Sequence, residues 1–285
     1  MTIAEVLQRA EGRLRASGSD DARLEAEVLL CHALGLTREQ LYARLTDEID
    51  AAALARVESL LLRRLAHEPI AYIIGQREFY GLELACTPAA LIPRPETELL
   101  VELALAWVKG QGPRAREPWI VDVGTGNGAV AVAIAVHAPD ARVAAIDASR
   151  PALLLARRNA GAHGVARRID FLQGDVLTAL RGLADIIVAN LPYVPTRLYE
   201  KLPPEIHDHE PSLALHAGRR GTAMIERLIA QSPALLRPGG LLLAEHAWNQ
   251  GSRLREAARA SFPTARIETK RDLAGRERVL VVETA

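Results

Sequence analysis

Beyond Pro93 the chain alternates short apolar runs with helix-length segments, and that rhythm restricts the architectures open to it more than any other feature. The runs cover residues 119–123, 142–146, 169–172, 186–189 and 241–244. Strands buried on both faces read as continuous apolar stretches, and a parallel crossover needs an intervening helix. The pattern predicts an α/β domain, a mostly parallel sheet with helices on both faces. Residues 279–282 form one more apolar run, expected as a strand added at the sheet edge.

The first part of the chain follows a different period. Over residues 3–67 apolar side chains recur at helical spacing, broken by Gly35, by the capping pattern Thr37-Arg38-Glu39-Gln40 and by Asp50. A small helical bundle is expected there. Glu78-Phe79-Tyr80 and Leu82-Glu83-Leu84 flank Gly81 as a β-hairpin. The expected organisation is therefore a helical domain over 1–75, a hairpin linker over 76–92 and an α/β domain over 93–285. A length of 285 residues, 49% of them apolar and 25% charged, supports two packed domains.

Charge and cysteine content exclude several classes of function. The net charge is zero, and residues 1–92 carry 10 Arg against 14 acidic residues, so the helical part is at −4 and the remainder at +4. Neither part has the basic excess of a phosphate-backbone binder, so nucleic acid is not the expected partner. Cys31 and Cys86 are too few for a disulfide framework and lack zinc-site spacing, so no metal is expected. The start of the chain has no basic segment followed by an apolar one, and no run is long enough to span a membrane. The chain therefore reads as cytoplasmic; a monomer is the plain expectation.

Asp122-Val123-Gly124-Thr125-Gly126-Asn127-Gly128 joins the first apolar run to the apolar segment that follows. A strand, a glycine turn and a helix in that order bring the backbone close to a ligand, and Gly124, Thr125, Gly126, Asn127 and Gly128 are the expected cradle. With Ala129 the turn also satisfies the dinucleotide fingerprint G-x-G-x-x-A, so the turn alone leaves a nicotinamide or flavin cofactor open beside S-adenosylmethionine. Asp147, about 20 residues on, is placed for ribose hydroxyls. Asp175 is placed for an adenine amino group, with Val176 and Leu177 over the ring. The plainer role of both aspartates is to cap the next helices. Asp122 before the first glycine favours a methyltransferase.

Asn190-Leu191-Pro192-Tyr193 closes the fourth run of this part. The Asn190 Oδ1 and the Leu191 carbonyl can accept the two N–H bonds of a planar NH₂ group, Pro192 stiffens the turn, and Tyr193 can stack on the amide plane. An amide nitrogen is a poor nucleophile, but holding reactants in line removes roughly 7–11 kcal/mol of barrier without a general base. Asn190 also borders the cofactor side of this socket. Three other features carry plainer readings. His207-Asp208-His209-Glu210 looks like a metal cluster but fits a solvated loop. Arg94 precedes Pro95, Glu96 and Glu98, an ordinary helix start. Phe79 and Tyr80 fit hairpin packing.

With these residues the chain resembles the class I S-adenosylmethionine-dependent methyltransferases, and within them the bacterial release factor glutamine methyltransferases. The resemblance runs through Leu91-Ile92-Pro93-Arg94-Pro95-Glu96-Thr97-Glu98, the glycine turn, N-x-P-Y, Glu210-Pro211 with Leu213-Ala214-Leu215, and Glu245-His246 before Gln250-Gly251. It implies a Rossmann-like fold and transfer of a methyl group from S-adenosyl-L-methionine to N5 of the glutamine in the Gly-Gly-Gln motif of class 1 peptide chain release factors, a modification tied to translation termination. It further implies that residues 124–128, Asp147, Asp175 and Val176 hold the cofactor, that Asn190 to Tyr193 hold the glutamine, and that the helical domain grips the release factor. Leu191 stands where the family usually has proline and Ala247 where it commonly has glycine; the latter is costly only if φ is positive there. Rival expectations are a ribosomal-protein glutamine methyltransferase, an N6-adenine DNA or RNA methyltransferase acting on a flipped base, a nicotinamide-dependent oxidoreductase, and a noncatalytic nucleoside-binding module.

Overall fold

The structure is a computed structural model that describes residues 1–110 and 117–285. It divides into two compact units: Met1–Gly75 with Pro203–His209, and Gln76–Leu202 with Glu210–Ala285.

The first unit is helical: α1 Ile3–Ala16, α2 Ala22–Leu34, α3 Arg38–Ala43, α4 Ala51–Leu65 and α5 Ile70–Ile74. Its ends are where capping chemistry puts them. Thr37 accepts the Gln40 N–H while Gln40 reaches back to the Thr37 N–H, and Asp50 accepts the Ala53 N–H at 2.7 Å. Gly35, in the left-handed conformation, ends α2. Leu7, Leu14, Leu29, Leu30, Leu41 and Leu61 interlock as the core. Glu27 is buried in this unit at 1% exposure, a position that is tolerable only because it accepts from Arg23 and Arg38, each at 2.7 Å, and from the Tyr42 hydroxyl. Arg64 ties Glu25 (2.7 Å) to Glu205 (2.9 Å), which holds the 203–209 segment in the unit.

The second unit opens with the hairpin β1 Gln76–Phe79 and β2 Leu82–Ala85. Tyr80 and Gly81 both have positive φ, as the two-residue turn best matched to strand twist demands. The left-handed Tyr80 is held by its N–H donating to Glu98 Oε1 at 2.9 Å. Phe79 and Leu84 pack into the same core as α6, Glu98–Gly110, so the hairpin belongs by packing to this unit. Tyr80 meets His137 edge to face, a packing role.

The elements that follow are β3 Trp119–Val123, α7 Ala129–His137, β4 Arg142–Asp147, α8 Arg150–Ala162, β5 Ile169–Gln173 and β6 Ala184–Ala189. Then come three one-turn helices, α9 Thr196–Tyr199, α10 Pro204–His207 and α11 Ser212–Leu215. The chain ends with α12 Ala223–Gln231, β7 Leu236–Glu245, α13 Gly251–Ser261, β8 Arg266–Arg271 and β9 Glu277–Glu283. The sheet order is β5-β4-β3-β6-β7-β9-β8, parallel except at the two pairs involving β9. Alternate residues face opposite layers: Ile120 and Ile186 toward α6 and α7, Val121 and Ile187 toward α12 and α13. This is the α/β architecture expected from the rhythm of apolar runs.

One expectation is corrected. Residues 279–282 are not at the edge; β9 lies between β7 and β8, because Val279, Leu280 and Val282 are fully covered and need neighbours on both sides. The edge is β8, whose Arg-Ile-Glu-Thr-Lys-Arg sequence carries charge suited to an exposed edge and so gives no apolar signal.

Replacing the α4 cap, Asp50→Ala, should lower the denaturant stability of the helical unit by about 1 kcal/mol. Helical signal followed through urea unfolding checks this, and an unchanged midpoint would count against the cap.

Candidate active site

Val123 and Ala189 are register partners at the ends of β3 and β6, so Gly124 and Asn190 leave the sheet side by side. Sheet order reverses between these strands, and the crevice at such a reversal is where open α/β sheets take ligands. A cleft of about 1060 Å³, open mouth included, lies there. Gly124, Thr125, Gly126, Asn127, Asp147, Asp175, Val176, Asn190, Leu191 and Pro192 all line it. Gly128 stands just behind as the N-cap of α7, and Tyr193 lies off the cleft wall, packed against the core.

The glycine turn is fixed from several directions. The N–H groups of Gly124 and Thr125 both donate to the Ile146 carbonyl, at 2.8 and 3.0 Å. Gly124 has φ 74, and a Cβ there would come within 2.9 Å of Leu191 Cδ2 and 3.5 Å of the Asn190 carbonyl. The left-handed φ is what calls for glycine, and the contact shows where Leu191 goes: 5% exposed, it packs under the turn. Asn127 is committed to the scaffold. Its Oδ1 accepts the Ala129 N–H, and its carbonyl accepts from Asn159 Nδ2 at 2.8 Å.

Asp122 is buried at 2% exposure beneath the first turn of α7, accepting from Thr125 Oγ1 (2.6 Å) and the Ala131 N–H (3.2 Å). Burial outweighs these donors and pushes its carboxyl up to about 7. Asp147 accepts from Ser149 N–H at Oδ1 and Gly126 N–H at Oδ2, both at 2.8 Å. Burial likewise raises its carboxyl, against those donors. The Ala148 N–H also favours its charged form, and the residue lines the cleft within reach of a ligand hydroxyl. Ser149, not Asp147, caps α8.

Asp175 sits at the rim, about half exposed, with Oδ2 2.7 Å from Arg227. Val176 is 4% exposed with φ 53, a left-handed conformation that costs a β-branched residue roughly 1–3 kcal/mol. Leu177, expected beside it over the ring, is instead in the core, its N–H donating to Gln231.

Asn190 Nδ2 donates to Thr97 Oγ1 at 3.0 Å, and Thr97 donates to Glu245 Oε2 at 2.7 Å. Tyr193 donates its hydroxyl to Glu245 Oε1 at 3.1 Å, a bond that fixes the ring edge. Burial, reinforced by that carboxylate, raises the phenol and keeps it protonated. The Tyr193 carbonyl accepts from Gln250 Nε2 at 2.9 Å. Neither Asn190 Oδ1 nor the Leu191 carbonyl accepts a hydrogen bond from the described residues.

Thr97, Glu245, Glu210 and Gln250 received no role of their own from the sequence. Glu210, 4% exposed, accepts from the Ile92 N–H at 3.1 Å and from Arg94 Nη2 at 2.5 Å, which pins the segment forming one cleft wall. Arg94 also precedes a 3₁₀ turn, Pro95–Thr97, as a helix start would. His207 pairs with Asp208 at 2.6 Å, and among the described residues no group of His, Cys, Asp and Glu is arranged to hold a metal. Ala247 is not among the residues with positive φ, so alanine there is silent. Among the described residues no helix is long and apolar enough to cross a membrane.

Residues 5–75 match the family model for the PrmC N-terminal domain, and residues 105–201 match the methyltransferase small domain. The release factor glutamine methyltransferase of Moorella thermoacetica is 43% identical over 98% of this chain and 97% of its own length. That of Burkholderia pseudomallei is 44% identical, covering 93% and 92%. Among solved structures, the hMettl16 catalytic domain bound to a 3′UTR hairpin superposes with TM-score 0.57 at 17% identity, over 82% of each chain. The Thermus thermophilus 16S rRNA methyltransferase RsmC, solved with AdoMet and guanosine, gives 0.51 at 19%, over 74% of this chain and 50% of its own.

Gly221 has φ 77, and a Cβ there would fall 2.4 Å from the Tyr193 carbonyl and 2.7 Å from Gln250 Nε2. Gly221→Ala should therefore displace the 190–193 turn, lowering both Tm and turnover, and equal values for the two proteins would refute this. Asp122 has a folded-state value above its ordinary 3.8, so its contribution to stability is full below about pH 4 and is lost as pH rises through about 7. Thermal unfolding at pH 5.5 and 8.0 should show Asp122→Asn gaining on the parent protein at the higher pH; a constant difference would contradict it.

Proposed function

The chain belongs to the release factor glutamine methyltransferases, and from that footing we propose that its 190–193 turn holds the substrate glutamine while the glycine turn holds the cofactor. The enzyme methylates a release factor glutamine. The reading extends this to N5 of the glutamine in the Gly-Gly-Gln motif of class 1 release factors. A protein with that substrate works where translation terminates, in the cytoplasm.

The lining suits S-adenosylmethionine. Gly124 turns the chain at positive φ beside the cleft, Asp147 lines it where ribose hydroxyls can reach a carboxylate, and Val176 offers an apolar wall for a flat ring. Asp122 and Asp147 add acidic character beside a cationic ligand. When bound, the cofactor supplies an electrophilic methyl carbon on a sulfonium.

The protein's part is to hold and orient. Asn190 Oδ1 and the Leu191 carbonyl accept the two hydrogens of the glutamine NH₂, which turns the nitrogen toward the cofactor side of the cleft. As the nitrogen donates its electron pair it becomes positive, and the two oxygens stabilise that charge most in the transition state. The N–C bond would form as the methyl's bond to sulfur breaks, the positive charge would pass from sulfur to nitrogen, one N–H proton would be lost to water, and the product would return to a planar amide. The observation that carries the reading is the Asn190 side chain: the residue lines the cleft, its nitrogen is tethered to Thr97, and its oxygen accepts no hydrogen bond from the described residues.

Asn190→Ala should abolish most turnover while leaving cofactor affinity nearly unchanged, measured with radiolabelled S-adenosylmethionine and calorimetry. The same assay run on release factor, its Gln→Ala loop variant, ribosomal protein and DNA should label only the unaltered release factor. Label on the loop variant or on DNA would overturn the substrate assignment.

A further inference from the structure

We propose that Glu245 and Thr97 are positioning residues for methyl transfer, because together they dictate which end of the Asn190 amide faces the cleft. Glu245 ends β7, the strand next to β6, and is 1% exposed. Burial raises this carboxyl, opposed by the Thr97 and Tyr193 hydroxyls and by Arg278, which favour its charged form, and in that form it only accepts hydrogen bonds. Its Oε2 lies 2.7 Å from Thr97 Oγ1 and its Oε1 lies 3.1 Å from the Tyr193 hydroxyl. Each hydroxyl has a single hydrogen, so both are spent on Glu245.

Thr97 Oγ1 can then only accept from the Asn190 amide 3.0 Å away. An amide oxygen turned toward it would set lone pair against lone pair. The donation runs one way, from Asn190 to Thr97 to Glu245, and this commits Asn190 Oδ1 to the other side. Both arms of the buried carboxylate thus end on the 190–193 turn.

A role in stability alone does not account for this placement. A carboxylate taken out of water is costly, and an uncharged side chain of the same shape would serve packing as well or better. The nearby cation, Arg278, is paired with Asp272 at 3.1 Å. Glu245 is distinguished from such a replacement by being an acceptor at both oxygens, which is the property that sets the direction of the relay.

Glu245→Gln is nearly isosteric but offers one acceptor and one donor. One hydroxyl must then turn its hydrogen elsewhere, and a hydrogen released from Thr97 goes to Asn190 Oδ1, which inverts the amide. The expected result is a loss in kcat on the order of 10- to 100-fold, as for a slightly misplaced reacting group. Cofactor Kd should stay the same, and Tm should be unchanged or higher. Thr97→Val should lower kcat likewise, and Thr97→Ser, which keeps the hydroxyl, should restore most of it.

The proposal rests on Asn190 being the substrate acceptor, and the two fail differently. Turnover retained in Asn190→Ala removes that reading itself. Turnover lost in Asn190→Ala but full kcat in Glu245→Gln and Thr97→Val overturns the relay alone. A kcat loss in Glu245→Gln matched by a fall in Tm and cofactor affinity would also overturn it, by reducing Glu245 to a structural residue. Should that variant not fold, the Thr97→Val and Thr97→Ser pair decides on the same criteria.

Discussion

The pairing of β3 with β6 is the constraint on which the rest of the site depends. Because Val123 and Ala189 share a register position, the glycine turn and the Asn190 turn emerge next to one another at the point where sheet order reverses. A slip of one residue would exchange the two faces of β6 and carry Asn190 away from the cleft. The apolar sequence of both strands, buried on each side, makes that slip costly. The Leu191 side chain, packed against Gly124, then fills the space between the two turns.

Around this junction burial raises three carboxyls, the buried Asp122 and Glu245 and the half-buried Asp147, each partly compensated by hydrogen bonds. Their partners differ in kind. Asp147 accepts backbone N–H groups and Asp122 a backbone N–H with the Thr125 hydroxyl, which stiffens the turn, whereas Glu245 accepts two hydroxyls from distant segments and so orients side chains. Val176, held at positive φ in the cleft wall, is a further local cost in the same place. Scaffold stability is thus drawn down where ligands are to be met.

Much of this was legible in the sequence because the signals were local. Apolar runs separated by helix-length segments marked β3 to β7, and Thr37 and Asp50 marked helix starts by their own side chains. The glycine turn announced itself between a strand and an apolar helix. What was hidden depends on contacts distant along the chain. Thr97 meets Glu245 across 148 residues and Arg94 meets Glu210 across 116, and no periodicity records such pairs. Strand β8 was hidden for another reason, since an edge needs charge rather than an apolar run. The type of Tyr193 suggests stacking, but nothing local in the sequence shows that its hydroxyl also serves Glu245, 52 residues away.

The central claim is that two oxygens, Asn190 Oδ1 and the Leu191 carbonyl, receive the hydrogens of the reacting amide. A crystal structure with S-adenosylhomocysteine and a peptide containing Gly-Gly-Gln tests it most directly. The account predicts the glutamine nitrogen about 2.9 Å from each oxygen, with Asn190 Nδ2 still on Thr97. A glutamine amide bound by other groups, or an Asn190 amide turned the opposite way, would contradict it.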